Sequence, residues 1–541
     1  MDRRDIIKSL SALPLAGAMY PVESAFASPS QRRSAAAAPT QNIYQTIGVE
    51  PVINCRGTFT IIGGSIERPE VVDAMHKASG FFVQYDELAF GIGQRLADLT
   101  GAEWGMVSAG CAAGMKHVTA ACVTGGNPEK LVRIPDLRGF EKTEVISPRR
   151  SRNVYDHALR NIGVTIITVD TPEEMERAIG PRTAMLYLMA NNEVPADGPF
   201  SLEQLARMAK PLNIPILVDA AAEDLTVPNV HLQRGATVVA YSGGKAICGP
   251  QCAGLLLGKK DILLSAWQAS SPHHGCGRDN KVGKEEMMGM LAAVEAWIKR
   301  DHVEKEKTWH TWLENISKRL SSINGVTCTI TEPRGLSNRS PRLSVTWDPE
   351  AFNIKGTDIS EEVATTKPRI ALGGTYLDNN GNTGVSINSG QMQPGNDKIV
   401  ADRLYEILTR KNEKPKGMSA PAVETTGRWD VDIEFYSSKS RHSFNIEQDG
   451  NFITGSHRGD FTTRDMYGIV DGNEIKLFSS ERQVADNVPF TFHGTATNDK
   501  MEGGIYMGEY IRAKFTATRY KQAPSPTNRP ITVPQGQPLS S

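Results

Sequence analysis

Residues 242–258 read Ser-Gly-Gly-Lys-Ala-Ile-Cys-Gly-Pro-Gln-Cys-Ala-Gly-Leu-Leu-Leu-Gly. The apolar run from Ala253 to Leu257 has the length and the bounding glycines of a buried strand. Before it stands a single lysine, Lys245, among small residues and three places after Ser242. A lysine held in an apolar pocket favours its neutral, nucleophilic amine, as Schiff-base chemistry requires. The small neighbours leave room for a flat ring, and the Ser242 hydroxyl suits a phosphate oxygen. Read alone, the stretch equally describes a solvated lysine in a Gly-rich turn.

The flanking sequence weighs between these readings. Ile216-Leu217-Val218-Asp219 places Asp219 at the C-terminal end of a predicted parallel strand, where open α/β sheets bind ligands. An acid there either caps the next turn or holds a pyridine nitrogen in its protonated form. Val107-Ser108-Ala109-Gly110-Cys111-Ala112-Ala113-Gly114 opens a predicted helix. The backbone at Gly110, Cys111 and Ala112 is therefore a candidate phosphate cradle. Asn192 follows another predicted strand and suits either a cofactor's phenolic oxygen or a turn. Lys245, Asp219 and Ser242 together point to pyridoxal 5'-phosphate (PLP) as cofactor.

The chain has 541 residues, 39% hydrophobic and 22% charged, with a net charge of −1 from 60 basic and 61 acidic residues. Such a length predicts roughly two to four domains. The balanced charge argues against a nucleic-acid surface, which needs clustered cations. No apolar run is long enough to span a bilayer. The seven cysteines lack zinc-site spacing, and whether any pair forms a disulfide stays open.

Arg3-Arg4, then Leu10 to Met19, then Ala25-Phe26-Ala27 predict an export signal over 1–27, of twin-arginine type, and a periplasmic or otherwise exported protein. Residues 28–40 read as a linker. From 41 to 300, helical patterns alternate with apolar runs at 165–169, 184–189, 214–218, 237–241 and 254–257. This predicts an α/β large domain around a mainly parallel sheet. Residues 301–412 predict a smaller α/β lobe, and 413–426 a second linker. From 427 to 520, Trp429, Val431, Ile433 and Phe435 begin an alternating pattern with turn signals at Asp449-Gly450 and Asp471-Gly472. That predicts a small antiparallel β-barrel or sandwich of roughly eight strands. The tail 521–541 is rich in Pro, Ser and Gln and predicts disorder.

The order of these motifs, with Arg152 to Ala158 and Gly277 to Glu286, resembles fold-type I PLP enzymes of the aminotransferase class V kind. Within them it is similar to bacterial selenocysteine synthases (L-seryl-tRNA(Sec) selenium transferases), and still more to D-glucosaminate-6-phosphate ammonia-lyase-like proteins. The resemblance covers about residues 41–412. It implies that Lys245 anchors the cofactor and shuttles protons, that Asp219 holds the pyridinium, and that Ser242 and the amides near Cys111 and Ala112 hold the phosphate. It further implies Arg278 and Lys281 as anion binders, Arg369 and Arg152 as substrate contacts, and a homodimer or larger homo-oligomer. The expected substrate is an amino acid or amino sugar acid, and the expected reaction an α,β-elimination that releases ammonia. Transamination, racemisation, selenium transfer and a non-catalytic binding role are the alternatives. The export signal and linker stand where a selenocysteine synthase carries its tRNA-binding domain.

Overall fold

The computed structural model describes residues 42–190, 198–414, 417–480, 484 and 488–521. The expected signal 1–27, the linker 28–40, Asn192 and the tail beyond 521 lie outside the described residues. The backbone divides into two units, Met1–Pro51 and Val52–Ser541. In the first, a short 3-10 turn, Gln45–Ile47, closes on Gly48 at φ +78°. The second holds three hydrophobic cores.

Its chain opens with a three-residue strand, β1 (Val52–Asn54). The largest core then builds on seven strands. These are β2 (Trp104–Ser108), β3 (Glu144–Pro148), β4 (Thr165–Val169), β5 (Thr183–Met189), β6 (Ile216–Asp219), β7 (Val238–Ser242) and β8 (Gly254–Gly258). Their order is β2-β8-β7-β6-β5-β3-β4. The pairs from β7 through β4 are parallel, whereas β8 runs antiparallel to both β7 and β2. Every residue of β6 and β8 is buried, as expected where both sheet faces are covered.

Two details differ from the sequence expectation. Strands β2 and β3 join the five expected ones; each is short, and the glycine in β2 weakens its strand pattern. The sheet also reverses at β8. Only residues 243–253 connect β7 to β8, fewer than the dozen or so that a parallel crossover needs. The chain therefore turns back on itself, and Lys245 rides on that tight return.

The second core belongs to the smaller lobe. Strands β9 (Val326–Thr331), β10 (Arg342–Trp347), β11 (Arg369–Ala371), β12 (Thr375–Leu377) and β13 (Thr383–Asn388) form it with four helices. The order β12-β13-β10-β9 is antiparallel throughout. The helix His302–Leu320 starts earlier than its apolar pattern, because the Asp301 carboxylate accepts the Glu304 N–H and caps it. β1 pairs in parallel with β11, and Cys55 lies in the small-lobe core, its thiol pushed up to about 12 by burial. Residues 52–55 thus belong structurally with the small lobe.

The third core fills a closed eight-stranded barrel. Its strands are β14 (Gly427–Glu434), β15 (Lys439–Asp449), β16 (Phe452–Arg458), β17 (Thr463–Asp471), β18 (Glu474–Ser479), β19 (Phe490–Ala496), β20 (Lys500–Met507) and β21 (Tyr510–Arg519). Trp429, Val431 and Ile433 point inward with no exposed surface, and closure removes both sheet edges. All seven cysteines are unpaired. Among the described residues no helix is long and apolar enough to cross a membrane, and no cluster of His, Cys, Asp or Glu is arranged to hold a metal ion.

A hydrogen-bonded chain lies buried in this barrel. His442 meets His457 at 2.8 Å, and His457 meets the Ser479 hydroxyl at 2.9 Å. Asp460 receives His442 at 3.4 Å. Burial, then the neighbouring His442 and Arg464, push His457 from 6.5 down to about 3. The native barrel therefore excludes a proton that the unfolded chain binds near 6.5. Stability is complete above that pH and is lost as pH falls toward 3. Melting curves from pH 7 to pH 4 should show the barrel transition moving down in temperature, and His457→Gln should flatten the slope. Parallel slopes in the two proteins would refute this assignment.

Candidate active site

The C-terminal ends of β6 and β7 bring the chemistry together. Asp219 ends β6 and is 5% exposed. Its carboxylate accepts the Ala221 N–H at 3.1 Å, the Tyr187 hydroxyl at 3.0 Å and, weakly, the Cys111 thiol at 3.8 Å. All three donors are neutral. Burial raises the Asp219 carboxyl above its ordinary range, against these hydrogen bonds and the charge of Lys245. A buried carboxylate of this kind lacks a close cationic N–H, and a pyridinium supplies one.

Tyr187 lies on β5, whose register sets Tyr187 beside Leu217 and Met189 beside Asp219. Tyr187 and Asp219 therefore share a sheet face. Tyr187 in turn accepts from the Asn153 amide at 3.1 Å. Burial, followed by the nearby Asp219 charge, moves its phenol well above the ordinary range, so it stays a donor. The sequence carried a signal for this residue. A tyrosine inside the apolar run Ala184–Met189 must find a partner for its hydroxyl.

Lys245 follows the end of β7 by three residues and is half-buried rather than enclosed. Its ammonium lies 5.9 Å from the centroid of the Tyr155 ring, and its charge acts on both Asp219 and Cys111. The two glycines before it are steric necessities. A Cβ on Gly243 meets Met290 at 2.5 Å and the Ala253 carbonyl at 2.8 Å; one on Gly244 meets the Gln251 Cα at 2.6 Å. Ser65 braces the same loop from the other side, donating to the Gly244 carbonyl at 3.0 Å.

The expected phosphate cradle is the start of the helix Cys111–Thr124. Gly110 occupies the N-cap at φ +91° and provides no side-chain cap. The first-turn N–H groups of Cys111 and Ala112 have no acceptor within the helix and carry its positive dipole end. Gly254 of β8 packs directly on this turn; a Cβ there stands 2.4 Å from the Gly110 carbonyl carbon and 2.6 Å from the Cys111 nitrogen. Gly254→Ala should therefore displace the cradle and weaken PLP binding by about tenfold or more, with a core overpacking cost of about 1–3 kcal/mol. Titrating the cofactor into both proteins by absorbance checks this; equal affinities would refute it. Ser242, at the end of β7, is half-buried beside this region.

The remaining expected residues fall elsewhere. Arg152 is paired with the fully buried Asp156 and bonded to the Thr168 hydroxyl, contacts that brace the fold. Arg278 and Lys281 are exposed, Arg278 within 3.5 Å of the Ser271 hydroxyl. Their loop is held by Lys116, which binds Asp279 and Asn280. Arg369 lies on β11 and donates to the Ala364 carbonyl at 2.7 Å. Asn192 lies outside the described residues. Sequence reasoning missed Tyr187, Asn153 and Tyr155.

This donor set fits PLP. Over 297 residues the chain is 30% identical to D-glucosaminate-6-phosphate ammonia lyase of Salmonella typhimurium (strain 14028s / SGSC 2262), covering 53% of this chain and 77% of that protein. The chain belongs to that lyase's family of PLP enzymes. It is also 29% identical over 395 residues to 5'-C-glycyluridine monooxygenase-decarboxylase of a Streptomyces species, covering 69% of this chain and 94% of that protein. L-seryl-tRNA(Sec) selenium transferase of Moorella thermoacetica is 26% identical over 308 residues, 49% of this chain and 60% of that protein. The solved structure of D-glucosaminate-6-phosphate ammonia-lyase matches with a TM-score of 0.62 and 27% identity, over 69% of this chain and 100% of that one. No protein-family model matches the chain.

The protein is thus a PLP-dependent enzyme of fold type I with an added C-terminal β-barrel. In this PLP enzyme Lys245 would carry the cofactor, Asp219 its ring nitrogen, and the Cys111 helix start with Ser242 its phosphate. When bound, PLP supplies an aldehyde that takes up amines and a ring that accepts electrons.

Proposed function

We propose that this PLP enzyme is a lyase that eliminates a β-substituent from an amino sugar acid or amino acid, releasing ammonia and a keto acid. The observation that carries the reading is the convergence of Lys245, buried Asp219 and the uncapped helix start at Cys111. The kinship with an ammonia lyase supports it. In the reaction, the Lys245 amine takes the proton from the substrate's α-carbon. Asp219 would hold the cofactor's ring nitrogen, and the bound cofactor would supply an electron-accepting ring. The Tyr187 hydroxyl and the Ala221 N–H fix the carboxylate, and Tyr155 shields the lysine side of the pocket. Lys245 then returns a proton as the β-substituent leaves.

A panel of amino acids and amino sugar acids, followed for ammonia and keto-acid release, tests the proposal. Turnover with no ammonia from any substrate would overturn it. A second reading has its own support in the longer match to a monooxygenase-decarboxylase. Oxygen uptake with release of carbon dioxide in the same panel would select it.

Two further readings accompany the proposal. The Arg3-Arg4 segment fits export by the twin-arginine route, which carries folded, cofactor-loaded proteins; cell fractionation tests it. The adjacent aromatics Phe81 and Phe82, 72% and 103% exposed, fit burial against a second copy of the chain. Sedimentation of the holoenzyme tests that association.

A further inference from the structure

A small cleft of about 60 Å³ opens beside the lysine loop. Its wall includes Ala246, next to Lys245, and Ala222, shortly after Asp219. The small lobe and the N-terminal loop close it: Thr58 lines one side, and the Asn54 amide holds that loop through the Gly57 carbonyl at 3.0 Å. Among its described lining residues, Arg300, Lys305 and Arg339 face the carboxylates of Asp224 and Glu306.

These charges are unequally matched. Arg339 and Glu306 meet at 3.1 Å, but each is more than 40% exposed, so water screens the pair. Arg300 is different. Its guanidinium lies 5.5 Å from the Trp297 ring centroid, and its Nη2 is buried without a hydrogen-bond partner. The Cys248 thiol beside it is a weak acceptor. Asp224 is the cleft's own anion, yet burial raises its carboxyl to about 6. A half-buried guanidinium whose buried Nη2 lacks an acceptor gains when an oxyanion meets it.

We propose that this cleft is a subsite for an acidic group of the substrate, a carboxylate or a phosphate, and that Arg300 is the residue that selects it. The assignment rests on the PLP-lyase reading for the reacting end and adds what holds the remote end. An amino acid with no second acid then leaves Arg300 unmatched and is a poor substrate. The tryptophans that carry Arg300 and Lys305, at 5.5 Å and 5.0 Å from the cations, report directly on occupancy.

The test uses holoenzyme, so that the helix start at Cys111 is already filled. Inorganic phosphate and acetate are titrated separately while tryptophan fluorescence is read. Saturable binding of one anion is expected, and the stronger one identifies the acid class. Arg300→Gln should weaken it by about ten- to a hundredfold, Arg300→Lys by less, and Arg441→Gln, on the barrel, not at all. Circular dichroism confirms that each variant is folded. Absence of saturable binding, or equal affinity in folded Arg300→Gln and the parent, overturns the proposal. Borohydride labelling of Lys245 does not involve Arg300, so failure of the PLP-lyase reading registers separately.

Discussion

Lys245→Ala should cut turnover by about a thousandfold or more, with the protein still folded. On the proposed reaction, three duties of the amine would disappear together: anchoring the cofactor, taking the α-proton and returning a proton to the departing group. With all three on one group, no neighbour is expected to substitute for it. The half-buried position of Lys245 predicts little loss of stability. The parent should show a visible absorption band that borohydride bleaches, with the added mass on the peptide carrying Lys245. The alanine variant should bind the cofactor only reversibly. Retained turnover, or a borohydride adduct on another lysine, would show that the anchor has been misplaced.

Asp219→Asn is expected to have the second largest effect. The asparagine keeps the shape of the site and one acceptor for the Ala221 N–H. It removes the charge that a ring-nitrogen cation needs at the end of β6. It also forces a donor toward the Tyr187 hydroxyl, which at present donates to Asp219 at 3.0 Å and accepts from Asn153. Catalysis should fall by about a hundred- to ten-thousandfold and cofactor affinity by tenfold or more. Tyr187→Phe makes a useful companion. It removes one hydrogen bond to the carboxylate and leaves the charge, so its loss should be far smaller. Stopped-flow turnover and cofactor titration separate the two variants. Equal losses would mean that Asp219 acts through packing, not charge.

Several parts of this architecture were legible in the chain itself. The strands ending at Asp219 and Ser242 are continuous apolar runs, and such runs mark strands covered on both faces. The small residues around Lys245 read as room for a flat ring, but a Cβ on Gly243 or Gly244 would meet the protein's own Met290, Ala253 and Gln251. The barrel announced itself through the alternation from Trp429 to Phe435 and its paired turn signals. The reversal at β8 was also available from loop length, although the sheet was expected to be mainly parallel.

What the sequence by itself determined is therefore local: which runs are strands, and that a lysine and an aspartate end neighbouring strands of a PLP enzyme. Only the tertiary structure decided the partners. It set Tyr187 and Cys111 on Asp219, Tyr155 beside Lys245, and Arg152 on Asp156. It joined β1 to β11 and placed Arg300 in a cleft beside the lysine loop. The reason is physical. Periodicity and turn chemistry follow from the backbone of a few consecutive residues. A hydrogen bond between residues a hundred positions apart depends on sheet order, register and packing that no short stretch encodes.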